Sequence, residues 1–236
     1  MPDLSVIVPC YNEWANIRPM LDRFAEVSAG VVFELILVDN GSHDGTAEMR
    51  EELLEIFPFL RWHRIEKNIG YGNGIYRGLL LARGKYVAYT HADLQTDPAD
   101  VFVAFRAIEP DANNPFLIKG LRQNRNFAST LFSSGLDTLA SVILRQKFTE
   151  INAQPNLFQS GFVNMLDNPP HHWGFDLYVY HVALRHQLLI KRIPVVFPER
   201  KWGMSKWKTG IFSRFRLSVR MLQYCWQLRR SGKKMG

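Results

Sequence analysis

Three short segments concentrate side chains that could do chemistry. They are Pro9-Cys10-Tyr11-Asn12-Glu13, then Asp39-Asn40-Gly41-Ser42-His43-Asp44-Gly45-Thr46, then His91-Ala92-Asp93-Leu94-Gln95. Each follows an apolar run that reads as a strand. In parallel sheets, ligands bind where strands end at their carboxyl side. Three acid-bearing loops at such an edge suggest one common site. Each loop alone also has a plainer reading, because Asp and Asn form turns and Asp39 or Asp44 could merely cap a helix. A fourth segment, Asn68-Ile69-Gly70-Tyr71-Gly72-Asn73-Gly74, precedes a helix. Its glycines could bring a helix start close to a phosphate or ribose. A mobile glycine loop is the alternative. Basic residues recur in Ile118-Lys119-Gly120-Leu121-Arg122-Gln123-Asn124-Arg125 and again at Arg200, Lys201 and Lys206. Either set could hold an anion, or lie in a solvated loop. His171 and His172 lack a third partner at metal spacing, so a surface turn after Pro169-Pro170 is the simpler account.

The elements that must position these loops alternate. Strands are expected at Leu4–Val8, Phe33–Val38, Arg61–Ile65 and Tyr86–Thr90. Helices are expected at Trp14–Val27, Thr46–Ile56 and Gly72–Ala82, the last closed by Gly84, and after an Asp97-Pro98 cap. Such alternation means βαβ units and a mostly parallel sheet with helices on both faces. The second half is less regular. Phe116–Lys119 and Leu188–Phe197 read as strands, the latter kinked at Pro194. Asn126–Leu144 and Phe175–Arg185 read as helices, and Ile151–Phe162 as no long regular element. Ser205–Arg230 reads as a long final helix. Its stripe of Phe212, Phe215, Val219, Leu222 and Trp226 runs beside Arg214, Arg216, Arg220 and Arg229.

Composition narrows the class. The chain has 236 residues, 47% of them apolar and 22% charged, which suits one large globular domain. Cys10 and Cys225 define neither a disulfide framework nor a zinc site, and a reducing compartment is expected. No uncharged run reaches the length of about 18 residues that a membrane span needs, and no signal peptide is visible. The net charge of +7 is uneven. After Glu199 there are 11 basic and no acidic residues, while the part before carries 18 basic and 22 acidic, a net of −4. A basic tail suggests an anionic partner. No Gly-x-Gly-x-x-Gly follows the first strand and no P-loop occurs, which argues against a dinucleotide-binding or P-loop protein.

The ordered runs Ser5-Val6-Ile7-Val8-Pro9-Cys10-Tyr11-Asn12-Glu13, Ile36-Leu37-Val38-Asp39-Asn40-Gly41-Ser42-His43-Asp44-Gly45-Thr46, Asn68-Ile69-Gly70-Tyr71-Gly72 and Ala92-Asp93-Leu94-Gln95-Thr96-Asp97-Pro98 resemble those of family 2 glycosyltransferases. The style is that of the dolichyl-phosphate mannose synthase and polyprenyl-phosphate branch. The resemblance is sharp over the first hundred residues and thinner to Lys206. It implies a GT-A fold, a single Rossmann-like domain over 1–206. A nucleotide-sugar half would span 1–115 and an acceptor half 116–206, with a basic amphipathic helix and tail at 207–236.

The resemblance also implies roles. Pro9, Tyr11 and Glu13 would wall the base, Asp39 would accept from base or ribose, and Asn68, Gly72 and Ala92 would line the donor. Asp93 and Gln95 would hold Mg²⁺ or Mn²⁺ against the diphosphate of a GDP- or UDP-sugar. The family usually has Asp where His91 stands, and often a second acid where Asn40 stands. Lys119, Arg122, Arg125, Arg200 and Lys206 would balance phosphate charge. Asn152 and Gln154 would close the acceptor side. Asp176 stands where relatives place an acid that orients the acceptor, or it only ties down its segment. The expected reaction is inverting transfer to a polyprenyl or dolichyl phosphate or another cell-surface glycan precursor. The enzyme would be cytoplasmic, peripheral at an anionic membrane face. A soluble acceptor, with the last helix as a homo-oligomer contact, is the alternative. A non-enzymatic basic module for nucleic acid leaves the acidic loops unexplained.

Overall fold

The computed structural model describes residues 1–108, 114–123, 127–197 and 210–232, with 127–129, 131–132, 210–218 and 231–232 described by backbone alone. The chain divides into two compact units. One joins Met1–Gln123 to Ala153–Gly203, the other Asn124–Asn152 to Met204–Gly236. The structure thus groups 124–152 with the C-terminal stretch, rather than with the body expected to end at 206.

The first unit is built on a seven-stranded sheet in the order β3-β2-β1-β4-β6-β5-β7. Its strands are β1 (Leu4–Cys10), β2 (Phe33–Asp39), β3 (Leu60–Arg64), β4 (Tyr86–Tyr89), β5 (Phe116–Gln123), β6 (Asn156–Gln159) and β7 (Leu189–Val196). All pairs are parallel except those made by β6, which runs antiparallel between β4 and β5. Its helices are α1 (Trp14–Val27), α2 (Arg50–Ile56), α3 (Tyr71–Leu79), α4 (Pro98–Arg106) and α6 (Phe175–Arg185).

Alternation sets the two faces. Leu4, Val6, Val8, Leu35, Leu37 and Ala88 point to one face and meet Ile17, Leu21 and Phe24 of α1 and Val101 and Phe102 of α4. Phe24, Phe33 and Phe102 share ring contacts there. The fully buried Phe24 and Phe102 rings each contribute roughly 1.5–3 kcal/mol. On the opposite face α3 lies on Ile7 and Val38. A Cβ at Gly78 would sit 2.4 Å from Ile7.

β1 runs two residues beyond its expected end and includes Pro9. The Ile7 carbonyl accepts from Thr90, and the Cys10 carbonyl from Asn40. Odd residues of β1 therefore aim their backbone groups toward β4, which has ended by Pro9. Pro9 lies beyond the last β1–β4 pair, Ile7 with Tyr89, so it removes no bond from that ladder. β5 also runs on, to Gln123. The 151–162 stretch contributes a four-residue strand in the middle of the sheet. Asp97 caps α4 as expected, accepting from Ala99 at 2.9 Å with Pro98 in the first turn. Gly84 is not the cap of α3, whose helix ends at Leu79. It lies where β1 begins, its would-be Cβ 2.6 Å from the Ser5 nitrogen.

The second unit pairs α5 (Phe127–Leu144) with α7 (Gly210–Gly232). The expected stripe on the last helix is shifted by about one residue. Met221, Tyr224 and Cys225 are buried, while Val219 and Trp226 of that stripe are exposed, Trp226 by 50%. Spacing of three and four also fits the Met221–Tyr224–Cys225 set, and the Arg229 guanidinium donates to the Ile143 carbonyl at 3.1 Å.

Asp100 on α4 carries a cost. Its Oδ2 is buried with no hydrogen-bond partner among the described residues. Burial, then the charge of Asp97, push its carboxyl up to about 6. A raised folded value favours the protonated native form, so its stabilising contribution is present below about pH 4 and is lost as pH rises to about 6. Asp100→Asn should therefore melt higher than the parent at pH 7, with the difference vanishing below pH 4. Thermal unfolding across this range checks both the sign and the window.

Candidate active site

Parallel pairing sets Cys10 beside Asp39 and Ile7 beside Tyr89. The segments after β1, β2 and β4 therefore leave the sheet at one edge, in adjacent positions. The first two are tied together. The Asn40 N–H donates to the Cys10 carbonyl at 2.9 Å, Asn12 N–H to Ser42 Oγ at 3.0 Å, and His43 N–H to Asn12 Oδ1 at 2.9 Å. Trp14 N–H donates to Asp44 at 3.0 Å. The Tyr11 ring stands edge-on to His43. Asn12 takes a φ of 56°, which an Asn tolerates better than most residues. Pro9 and Cys10 are the floor of this edge; Tyr11 and Glu13 are partly exposed above it.

Asp39 differs from its expected role. It is 0% exposed. One oxygen accepts from Ser42 N–H at 2.8 Å, the other from Arg64 at 2.7 Å. Its carboxylate organises the loop and holds a guanidinium, which also reaches the Ser42 carbonyl. Arg64, absent from the expected set, is thus the exposed group that Asp39 presents. Only the register that puts Asp39 beside Arg64 brings it out.

The β4 loop carries His91, Ala92, Asp93 and Gln95. Ala92 is buried; the other three are partly exposed. The Gln95 N–H donates to Asp93 Oδ1 at 3.1 Å, and Leu94 between them takes a φ of 57°. The His91 ring lies against Tyr71, with centroids 5.7 Å apart and planes 31° apart. No group of three His, Cys, Asp or Glu among the described residues could hold a metal by itself. A carboxylate with a neighbouring amide fits a hard divalent cation that arrives with its own oxygen ligands, such as a diphosphate.

Gly72 does not open a phosphate site. A Cβ there would lie 2.2 Å from the Pro170 carbonyl oxygen, and at Gly70 (φ 131°) 2.2 Å from that of His171. The Asn73 N–H donates to His171 at 3.1 Å. These glycines let the start of α3 touch the 170–172 backbone, so the segment is neither a phosphate cradle nor a loose loop. Asn68 accepts from the Gly70 N–H at 2.9 Å and shapes that turn. His172 accepts through Nδ1 from Gly174 N–H at 3.0 Å.

Two further expectations change. Lys119 is 0% exposed and lies within β5. Its ammonium bonds the Asn156 amide oxygen, reaches the Ala153 carbonyl at 3.4 Å and sits 5.5 Å from the Tyr180 ring centre. A lysine so enclosed does not meet a solvent-borne phosphate. Asp176, 3% exposed, accepts from Tyr89 Oη at 2.9 Å and Gln154 Nε2 at 3.0 Å. Gln154 accepts in turn from Asn156 at 2.7 Å and is itself buried. Asp176 and Gln154 therefore support the site from beneath instead of lining it. Burial first, then the Asp176 charge, raise the Tyr71 and Tyr89 hydroxyls well above the ordinary tyrosine range, so both remain donors. Arg122 is partly exposed, its guanidinium 5.8 Å from the Phe197 ring centre. Asn152 is exposed and belongs to the second unit. Arg125, Arg200 and Lys206 lie outside the described residues.

Comparisons with known proteins bear on the family and the fold. The model of glycosyl transferase family 2 matches residues 5–180. A dolichyl-phosphate beta-glucosyltransferase of Dictyostelium discoideum is 25% identical over 221 residues, covering 83% of this chain and 66% of its own length. A dolichol-phosphate mannosyltransferase of Pyrococcus furiosus is 27% identical over 233 residues, covering 94% and 64%. The chain thus spans about two thirds of the length of these relatives. Among solved structures, glucosyl-3-phosphoglycerate synthase of Mycobacterium tuberculosis, in complex with Mn²⁺, UDP and glucosyl-3-phosphoglycerate, superposes with a TM-score of 0.70. It covers 97% of this chain and 80% of its own at 18% identity, a likeness that speaks for the fold.

Gly72→Ala tests the backbone crossing beneath this edge. With the carbonyl of Pro170 at 2.2 Å from the new methyl, the variant should lose roughly 3 kcal/mol or more. Chemical denaturation measures it. An unchanged midpoint would remove the packing role assigned to Gly72.

Proposed function

The chain belongs to glycosyl transferase family 2, and we propose that it moves a hexose, with inversion, from a GDP- or UDP-sugar to the phosphate of a polyprenyl or dolichyl lipid. The observation that carries this reading is the convergence of the loops after β1, β2 and β4 on one sheet edge, with Asp93 partly exposed among them. The base would lie along Pro9–Glu13 over the Tyr11–His43 pair, with Arg64 on Asp39 at its border. Asp93, with the Gln95 amide, would hold Mg²⁺ or Mn²⁺. When bound, that cation lowers the charge of the departing diphosphate. Arg122 contributes a second positive charge near the end of β5.

The burial of Asp176 favours an acceptor whose nucleophile is already anionic. A sugar hydroxyl needs a base within hydrogen-bond reach. A phosphate oxygen needs positioning. Relatives named for dolichyl phosphate use support the same class of acceptor.

Charge supports work at a lipid surface. The stretches 124–152 and 204–236 hold twelve Lys and Arg against two acids, a net of +10; the remainder holds 17 against 20, a net of −3. No helix among the described residues is long and apolar enough to cross a membrane. Peripheral binding to an anionic leaflet, the cytoplasmic face in our reading, would keep the enzyme where its acceptor resides.

Two measurements test the proposal. With GDP- and UDP-hexoses, transfer should require a divalent cation and should run on polyprenyl phosphate but not on the unphosphorylated polyprenol. Asp93→Asn should lower the rate by about a hundredfold or more while the circular dichroism stays unchanged. Equal transfer to the bare alcohol, or full activity in Asp93→Asn, would overturn it. Separately, Arg220→Glu with Arg230→Glu, both exposed on α7, should weaken sedimentation with phosphatidylglycerol vesicles by about tenfold or more. Unchanged sedimentation counts against the membrane role.

A further inference from the structure

The sheet face beneath α3 and α6 carries a polar row. Tyr89 pairs with Asn156, Asn156 with Lys119, and Lys119 with Arg192, each directly across neighbouring strands. In a sheet such residues share a face. All four lie level with the last residue of β4, one step below the edge where the β4 loop begins. Helix α6 covers the row with Asp176 and Tyr180. The Tyr180 ring stacks against both Lys119 and Arg192, and its hydroxyl accepts from Arg192 at 2.8 Å. The Tyr89, Asn156 and Lys119 side chains are thus satisfied from within the protein.

One branch of this network leaves the row and reaches the site. Gln154 Nε2 donates to Asp176 at 3.0 Å and lies 3.3 Å from the Tyr71 hydroxyl. The Gln154 amide nitrogen thus joins the Asp176 carboxylate to the Tyr71 hydroxyl. Tyr71 opens α3, and its ring bears on His91. In the loop that carries Asp93, the Thr90 and Thr96 hydroxyls are buried with no partner among the described residues, and Leu94 holds a left-handed conformation. A side wall is what such a loop needs.

The geometry points to Asp176 and Tyr71 as positioning residues that set the place of Asp93. Through the Gln154 amide the buried carboxylate fixes the Tyr71 hydroxyl, the Tyr71 ring fixes His91, and His91 begins the turn that presents the Asp93 carboxylate. Asp176 thus acts through Tyr71 and takes no proton from the acceptor. The inference rests on the proposed reading of Asp93 as the group that meets the cation and diphosphate.

The test uses the full chain with Tyr71→Phe, Asp176→Asn and the double variant. In ligand-free protein, the His91 ring resonance, assigned by its loss in His91→Ala, should shift in both single variants while that of His181 stays. Calorimetry with UDP or GDP should show Mn²⁺-dependent binding weakened about tenfold in each single variant. The double variant should be no weaker than the worse single, because both act on one path. Uridine and guanosine should bind as they do to the parent. A His91 resonance unmoved in both variants overturns the inference. So does additive loss in the double variant. So does Asp176→Asn that stops turnover while diphosphate binding is unchanged, since that marks a base. Should Asp176→Asn fail to fold, Gln154→Met takes its place in the cycle. If the parent binds neither diphosphate, the proposed function fails, and the resonance still decides the coupling.

Discussion

Parallel pairing of β2, β1 and β4 is the constraint from which the site follows. Cys10 beside Asp39 and Ile7 beside Tyr89 bring three chain ends to one edge within two strand spacings of each other. Strand spacing is about 5 Å, so loops from three adjacent strands can touch one small ligand. A shift of one residue in either pairing would turn Asp39 or Tyr89 to the wrong face. Register is held on the α1 and α4 side by a purely apolar layer, where such a slip would put Glu34 or Ser5 into the core. Those two residues are satisfied only on the other face, where Ser5 Oγ donates to Glu34 at 2.6 Å and Arg61 pairs with Glu34 at 2.6 Å.

The two faces of the sheet therefore do different work. The α1–α4 face is a hydrophobic core in the ordinary sense. The α3–α6 face buries Lys119, Asp176 and several amides. An unpaired ion in such a place costs several kcal/mol. Here the partners are placed by strand registers or by the start of α6, so the network closes only when β6 lies between β4 and β5. Polar burial of this kind specifies an arrangement more than it adds stability. It makes the antiparallel strand β6, only four residues long, a precondition for the floor of the site.

Legibility from sequence tracked how local each determinant is. The strands β1, β2 and β4, the Asp97-Pro98 cap and the three loops announce themselves through runs of apolar residues and turn formers. The family resemblance names the same loops. What could not be read depends on partners far away in sequence. Leu157-Phe158 is too short an apolar pair to mark β6 beside Pro155. Lys119 looks like a surface cation until Asn156 and Tyr180 are brought around it. Arg64 gains meaning only opposite Asp39. Gly72 resembles a phosphate-loop glycine because a close backbone approach and a ligand approach ask the same thing of a residue, the absence of Cβ. On α7, two adjacent stripes share the helical period, and the neighbouring α5 decides which one is buried.

Charge divides along the same lines as the two units. On the proposed reading, the first unit binds a donor that carries two phosphates, yet its own net charge is −3. Asp93, Glu13 and Asp44 stand at or near the edge that must accept it. Repulsion between these acids and the diphosphate is strong once water is displaced. On the same reading a divalent cation would remove that repulsion and make Asp93 an asset, which would account for an edge that keeps acids and has no lysine within the loops after β1, β2 and β4. The second unit has the opposite need. At +10 it would be drawn to an anionic leaflet, each basic residue near the surface being worth about 1 kcal/mol. A single body of uniform charge could not meet both demands. An acidic donor site that works with a cation, carried by a chain whose other unit is basic, can hold a soluble anion and a lipid-borne anion at once without using one set of charges for both.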